Sequence, residues 1–246
     1  MRNILLSLCF DGTAYHGWQV QKNAITVQEV LQNAVEKIVG KREDVTGCSR
    51  TDSGVHANVY CCNMKTQSTI ECENLVLALN ANLPPDIVVT DCFEVLSDFH
   101  ARYSCISKEY IYKIINTKTR NPFYVNRYLH YKYPIDERTL DKAAKGFIGT
   151  HDFCGFASSG GSVKNTVRTV KNAKVERFGD EVIFTVEADG FLYNMVRIMA
   201  GTLLGVAQNK INADDIKKII ESCDRNMAGI TAPAHGLYLN KVKYDF

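Results

Sequence analysis

Thr26-Val27-Gln28-Glu29-Val30-Leu31-Gln32-Asn33-Ala34-Val35-Glu36-Lys37-Ile38-Val39-Gly40 is the stretch on which the fold turns. Its apolar residues at 27, 30, 31, 34, 35 and 38 make one continuous stripe at helical spacing. Thr26 and Glu29 stand as a capping box at its start, and Gly40 lies just past its end. A helix with a single apolar stripe must lay it on another element. The neighbouring sequence supplies strands for this. Residues 3–10 read as a strand ended by Asp11-Gly12, and residues 45–49 and 58–65 read as two more. Residues 72–81 read as a second helix, closed by Asn82-Leu83-Pro84-Pro85, and residues 87–95 as a fourth strand. The order is β-α-β-β-α-β, the split pattern of ferredoxin-like units.

The second half repeats the plan. Residues 109–115 alternate as a strand, with Tyr110 and Tyr112 on one face, and residues 136–147 are helical. Residues 167–177 and 181–188 form a hairpin around Phe178-Gly179-Asp180. Residues 191–206 and 213–223 read as helices, and residues 236–244 as a closing strand. The expectation is an α+β chain of two tandem ferredoxin-like units, residues 1–104 and 105–246. Their antiparallel sheets would join around a central cleft.

Composition sets the outer limits. The chain has 246 residues, 46% hydrophobic and 23% charged, the balance of a globular protein with a real core. Net charge is only +2, but its distribution is uneven. Residues 102–132 hold Arg102, Lys108, Lys113, Lys118, Arg120, Arg127 and Lys132 against the single acid Glu109. Lys164, Arg168, Lys171, Lys174 and Arg177 make a second run, whereas residues 66–101 contain no Lys or Arg. Such runs suit a polyanion. Aromatic residues interleave with the first run: Tyr103, Tyr110, Tyr112, Phe123, Tyr124, Tyr128, Tyr131 and Tyr133. RNA-binding proteins use aromatic faces and basic groups together in this way. Sheet packing would use the same rings.

The nine cysteines show no C-x-x-C pair and no zinc spacing. They read as free thiols of a reducing cytoplasm. No metal is expected. Residues 4–10 are too short an apolar run for a signal peptide and have no cleavage site, and no stretch reaches the length of a membrane span.

Among motifs, Phe10-Asp11-Gly12-Thr13 lacks the phosphatase nucleophile, because position 9 is Cys9. Ser158-Ser159-Gly160-Gly161-Ser162-Val163-Lys164 lacks the ending of a phosphate loop and reads as a flexible loop. Gly201 and Gly205 read as a site of close helix packing. The segment Gly47-Cys48-Ser49-Arg50-Thr51-Asp52-Ser53-Gly54-Val55-His56-Ala57 is different. It links two strands but is longer than a hairpin needs. A guanidinium two residues from a carboxylate keeps that carboxylate ionised, and an ionised aspartate is a competent nucleophile. An Asx turn or a loop salt bridge would use the same residues.

Four places resemble the tRNA pseudouridine synthase A family. They are Asp11-Gly12-Thr13-x-Tyr15-x-Gly17-Trp18-Gln19 with Thr26-Val27-Gln28, and Arg50-Thr51-Asp52-Ser53-Gly54-Val55-His56-Ala57. The others are Phe99-His100-Ala101-Arg102-Tyr103-Ser104 leading to Lys108-x-Tyr110-x-Tyr112, and Asn194-Met195-Val196-Arg197 with Ala232-Pro233-x-x-Gly236-Leu237-Tyr238-Leu239. Cys48 and Ser49 stand where smaller residues are common in the family. The resemblance implies a homodimer that isomerises uridine to pseudouridine at about positions 38–40 of the tRNA anticodon arm, a reaction that needs no cofactor. It makes Asp52 the catalytic aspartate and Tyr110 the tyrosine contacting the target base. Arg50 would displace the uridine from its stack, and Arg197 would pair with the catalytic carboxylate. Attack at C1′ and addition at C6 both remain open, as does the acceptor of the C5 proton.

Overall fold

The computed structural model describes residues 1–161 and 163–245. The chain divides into two compact units. The first comprises Met1–Ile106 together with Leu239–Phe246, and the second comprises Ser107–Tyr238.

In the first unit, β1 (Arg2–Phe10) leads through a 3-10 turn (Gly12–Ala14) to α1 (Val27–Val39). Then come β2 (Val45–Gly47), β3 (His56–Thr66), α2 (Cys72–Asn82) and β4 (Ile87–Val95). β1 lies between β4 and β3 and is antiparallel to both, with Leu6 opposite Cys92 on one side and Cys62 on the other. β2 pairs antiparallel with β3. The Thr26 side chain accepts from the Glu29 amide, and Gly40 closes α1 in the left-handed region at φ 76°. A cap contributes about 1 kcal/mol. The fully buried Val27, Leu31 and Val35 contribute about 1.5–3 kcal/mol each, so packing rather than capping holds this helix.

The chain returns to this unit at its end. β10 (Leu237–Tyr244) runs beside β3. The Tyr244 hydroxyl donates to the Ala101 carbonyl at 2.7 Å, and Asn58 donates to the Asn240 side chain at 2.8 Å.

β5 (Cys105–Ile115), which starts four residues before the predicted strand, leads from the first unit into the second. β6 (Leu129–His130), α3 (Glu137–Lys145) and β7 (Gly149–Asp152) follow. After a 3-10 turn (Cys154–Phe156) come β8 (Val167–Phe178), β9 (Glu181–Ala188), α4 (Met195–Ala207) and α5 (Ile216–Ser222). The order β5-β9-β8-β7 is antiparallel throughout, while the two residues of β6 lie parallel to β5. The protein is thus a mixed helix–sheet chain with a mostly antiparallel sheet. Among the described residues no helix is long and apolar enough to cross a membrane.

Three local expectations change. α4 begins at Met195 rather than 191, because Asn194 takes the left-handed conformation at φ 62° and interrupts the pattern. Gly201 and Gly205 serve no helix pair. A Cβ on Gly201 would collide with the Ile230 carbonyl, and one on Gly205 would meet the Ile211 side chain. The cysteines are not all free. Cys154 and Cys223 are joined as a disulfide, since the 3-10 turn after β7 and the end of α5 bring their Cα atoms to 5.3 Å. Ser162, part of the glycine-rich loop, lies outside the described residues.

Candidate active site

The loop between β2 and β3 is held by its main chain. The Cys48 amide donates to the Cys61 carbonyl at 2.8 Å, and the Tyr60 hydroxyl donates to the Ser49 carbonyl. The Trp18 amide donates to the Thr51 carbonyl at 3.3 Å. The Val55 amide donates to the Asp52 carbonyl at 3.2 Å, which makes a turn over Ser53-Gly54. Cys48 is fully buried, so its thiol fills space under the loop. Arg50 is exposed and Asp52 is half-buried. A pinned backbone with accessible ionic side chains is what a reacting group on a loop requires.

The clamp comes from residues 11–18, between β1 and α1. Two glycines there are dictated by contact. A Cβ on Gly12 would collide with the Val55 carbonyl oxygen, and one on Gly17, at φ +80°, with the Thr51 carbonyl oxygen. Between them, the Tyr15 carbonyl accepts from the Gly54 amide at 3.2 Å and from the Ser53 hydroxyl at 3.4 Å. The Tyr15 hydroxyl donates to Asp86 Oδ1 at 2.6 Å. Burial first, and then that hydrogen bond, push this hydroxyl above the usual tyrosine range. Trp18 stacks on Tyr60 with centroids 4.1 Å apart. The clamp is fastened to α1 in turn, since the Val27 and Gln28 amides donate to the Gly17 and Trp18 carbonyls at 3.2 and 3.0 Å.

His56, at the start of β3, is 1% exposed. Its Nδ1 lies 3.0 Å from the Gly12 amide and 3.1 Å from Asp11 Oδ1. Its place is beneath the loop, tying the β1 end to β3.

Tyr110 and Arg197 are in the other unit. Tyr110 on β5 is 5% exposed and meets Phe191 edge to face at 5.1 Å. Arg197, in the first turn of α4, donates through Nε to the Ala232 carbonyl and through Nη1 to Asn194 Oδ1, both at 2.8 Å. The Ala232 amide donates back to the Arg197 carbonyl at 3.0 Å. The left-handed Asn194 therefore orients the arginine, and its own amide nitrogen donates to the Ser158 hydroxyl at 2.9 Å. Tyr112 is fully buried beside this group, and its hydroxyl donates to the Pro233 carbonyl at 2.8 Å. Burial pushes the Tyr112 phenol up, and the Arg197 charge pulls against that shift. Thus Arg50 and Asp52 share one loop of the first unit, while Tyr110 and Arg197 are each fixed within the second.

One further group has ligand-like geometry. Among the described residues, Asp152, Cys154 and Cys223 bring ligand atoms within 4.8 Å of one another. With the two sulfurs bonded together, they offer no thiolate to a cation.

Tyr15, Trp18, Tyr60 and Asp86 support this loop although the sequence alone assigns none of them a role there. The signal for the first two was present in the Gly12 and Gly17 spacing, which marks close backbone approach.

The comparisons bear on the whole chain. The family model described as tRNA pseudouridine synthase matches residues 8–104 and 143–245. A "tRNA pseudouridine synthase A" from Thermoanaerobacter sp. (strain X514) is 49% identical over 244 residues, covering 99% of this chain and all of the relative. The protein of the same name from Clostridium acetobutylicum is 47% identical, with the same coverage. "tRNA pseudouridine synthase A 2" from Clostridium perfringens is 45% identical, again over 99% of this chain and all of the relative.

Proposed function

The chain belongs to the tRNA pseudouridine synthase family, and from that membership we propose that Asp52 is the carboxylate on which its reaction turns. Enzymes of this family are isomerases that convert uridine in tRNA to pseudouridine. The N1–C1′ bond breaks, the uracil turns, and C5 bonds to C1′. C5 loses a proton and N1 gains one, so atoms and electrons balance without an external oxidant or reductant.

The observation that carries the assignment is the clamp. Residues 12–18 hold the Arg50-Thr51-Asp52 backbone through Thr51, Ser53 and Gly54, yet Arg50 stays exposed and Asp52 half-buried. The carboxylate attacks C1′ or adds to C6; both routes begin from an ionised Asp52. The target must leave the stack to reach it. We assign that displacement to Arg50, contact with the turned-out base to Tyr110, and pairing with the carboxylate to Arg197. The hydrogen bonds from Arg197 to Asn194 and Ala232 support a fixed direction for its guanidinium. An arginine beside a carboxylate keeps it charged at neutral pH.

We propose further that both compact units are ferredoxin-like, Met1–Ile106 with the returning Leu239–Phe246 carrying the aspartate loop and Ser107–Tyr238 carrying Tyr110 and Arg197. The antiparallel order β4-β1-β3, with β2 on β3, supports this for the first unit. The substrate site is the anticodon arm at about positions 38–40, and the enzyme acts as a cytoplasmic homodimer.

Unmodified tRNA carrying tritium at uridine C5 tests the assignment. Wild type should release label, and Asp52→Ala should release none above background. Asp52→Asn, which keeps the shape of the loop, should be equally inactive while binding tRNA. Undiminished release from Asp52→Ala would overturn the assignment.

A further inference from the structure

The residues between Glu109 and Asp136 contain no acid and carry Lys113, Lys118, Arg120, Arg127 and Lys132. They also lie within the stretch 105–142 that the family match leaves out. The structure sorts this segment into a fixed base and an exposed crest. At the base, Lys113 turns inward, with its ammonium 4.0 Å from the Tyr238 ring centroid and 5.5 Å from that of Tyr128. The Tyr128 hydroxyl donates to Glu181 at 3.2 Å, and the Tyr238 hydroxyl donates to the Arg127 carbonyl at 2.8 Å. The Asn116 amide group donates to the Tyr131 and Tyr133 carbonyls at 2.8 and 2.7 Å. β6 then lies along β5.

The crest is a short 3-10 turn (Pro122–Tyr124), capped by the Asn121 side chain, which accepts from the Phe123 amide at 3.0 Å. Phe123 projects from it with 86% of its surface in solvent. Lys118, Arg120, Arg127 and Lys132, in the same segment, are exposed as well. A large ring held in water by a rigid base forgoes about 1.5–3 kcal/mol of burial, and such a ring marks a contact surface.

We propose that residues 117–133 form an RNA-binding arm. In it Phe123 stacks on an unpaired base of the tRNA, and Lys118, Arg120, Arg127 and Lys132 follow the adjoining phosphates. The proposal rests on the tRNA reading above. Charge decides the occupant. A second copy meeting this crest about a two-fold axis would set four cations against four, whereas a polyanion neutralises them. Sequence-tolerant stacking beside backbone contacts is how unpaired nucleotides are held.

The test uses the full-length protein and an unmodified tRNA transcript, with binding read by fluorescence anisotropy and turnover by tritium release. Phe123→Ala should raise Kd and KM about tenfold, with the loss in KM rather than kcat. Phe123→Tyr, which keeps a stacking ring, should restore binding. Phe178→Ala removes another exposed ring, 60% in solvent at the β8–β9 turn, and should leave Kd unaltered. Arg120→Gln with Arg127→Gln should lower the slope of log Kd against log salt by between about 1 and 2. Three results would each overturn the arm: wild-type Kd in Phe123→Ala, an equal loss in Phe178→Ala, or conversion of a wild-type dimer to monomers by Phe123→Ala with the salt slope unchanged. Failure of the wild type to release label would sink the proposed activity instead, whatever the binding results.

Discussion

Tyr15 grips the Asp52 loop with its main chain and is gripped in turn by its side chain. Its carbonyl takes the Gly54 amide and the Ser53 hydroxyl, while its hydroxyl is fixed on Asp86. A hydrogen bond to a charged partner contributes about 1.5–3 kcal/mol. Losing it should leave the fold standing but let the loop shift, and under the role proposed for Asp52 a small misplacement costs rate steeply. Tyr15→Phe should therefore lower kcat about tenfold, keep KM within about twofold, and lower Tm by only a few degrees. If the two residues act as one support, Tyr15→Phe with Asp86→Asn should be no worse than the poorer single variant. Multiplying penalties would show that they act separately. Because burial and Asp86 push the phenol upward, this contact is intact below the usual tyrosine range, about pH 10, and is lost only at higher pH. That Asp52 and Arg50 share one loop was legible in the sequence, because they stand two residues apart between two strands. Asp86 was not. It meets Tyr15 across 71 residues, and spacing along the chain carries no trace of such a contact.

At the scale of elements, periodicity and caps located α1 well, because its apolar stripe, Thr26 and Gly40 all point to the same boundaries. β6 and β7 were not legible, being two and four residues long and set by neighbours rather than by a pattern of their own. The Cys154–Cys223 link was hidden for a related reason. Neither cysteine has a partner nearby in sequence, and the fold alone brings the turn after β7 to the end of α5. Its closure of a long loop makes a specific expectation. Cross-linking residues 69 apart removes unfolded-state entropy amounting to about 4 kcal/mol, which corresponds to about 10 °C in a chain of this size. Thermal unfolding followed by calorimetry should fall by up to that amount on adding dithiothreitol. Cys154→Ser with Cys223→Ser should match the reduced wild type and be insensitive to reductant. A Tm unmoved by either treatment would show that the link constrains nothing in solution.

At the scale of the whole chain, element order carries no trace of the route of the last strand. The closing residues read simply as the end of the second half. Leu239–Phe246 belong instead with Met1–Ile106. The reason lies in particular contacts: β10 runs beside β3, Asn240 accepts from Asn58, and Tyr244 seals the Ala101 carbonyl while its ring tilts against Phe99 at 5.1 Å. Burial pushes the Tyr244 phenol above its ordinary range, as expected of a hydroxyl committed to the interior. A fragment ending at Ile106 would keep every helix of the first unit yet leave an apolar edge of β3 open. Such edges invite pairing with other chains. Residues 1–106 expressed alone should therefore give a broad thermal transition and associate at micromolar concentration. A synthetic peptide of residues 237–246 should sharpen the transition and suppress association, while a peptide with Tyr244→Ala should do so weakly. Circular dichroism and sedimentation velocity would read both effects. A fragment that folds cooperatively as a monomer without the peptide would show that the returning strand is an addition to the unit rather than part of its core.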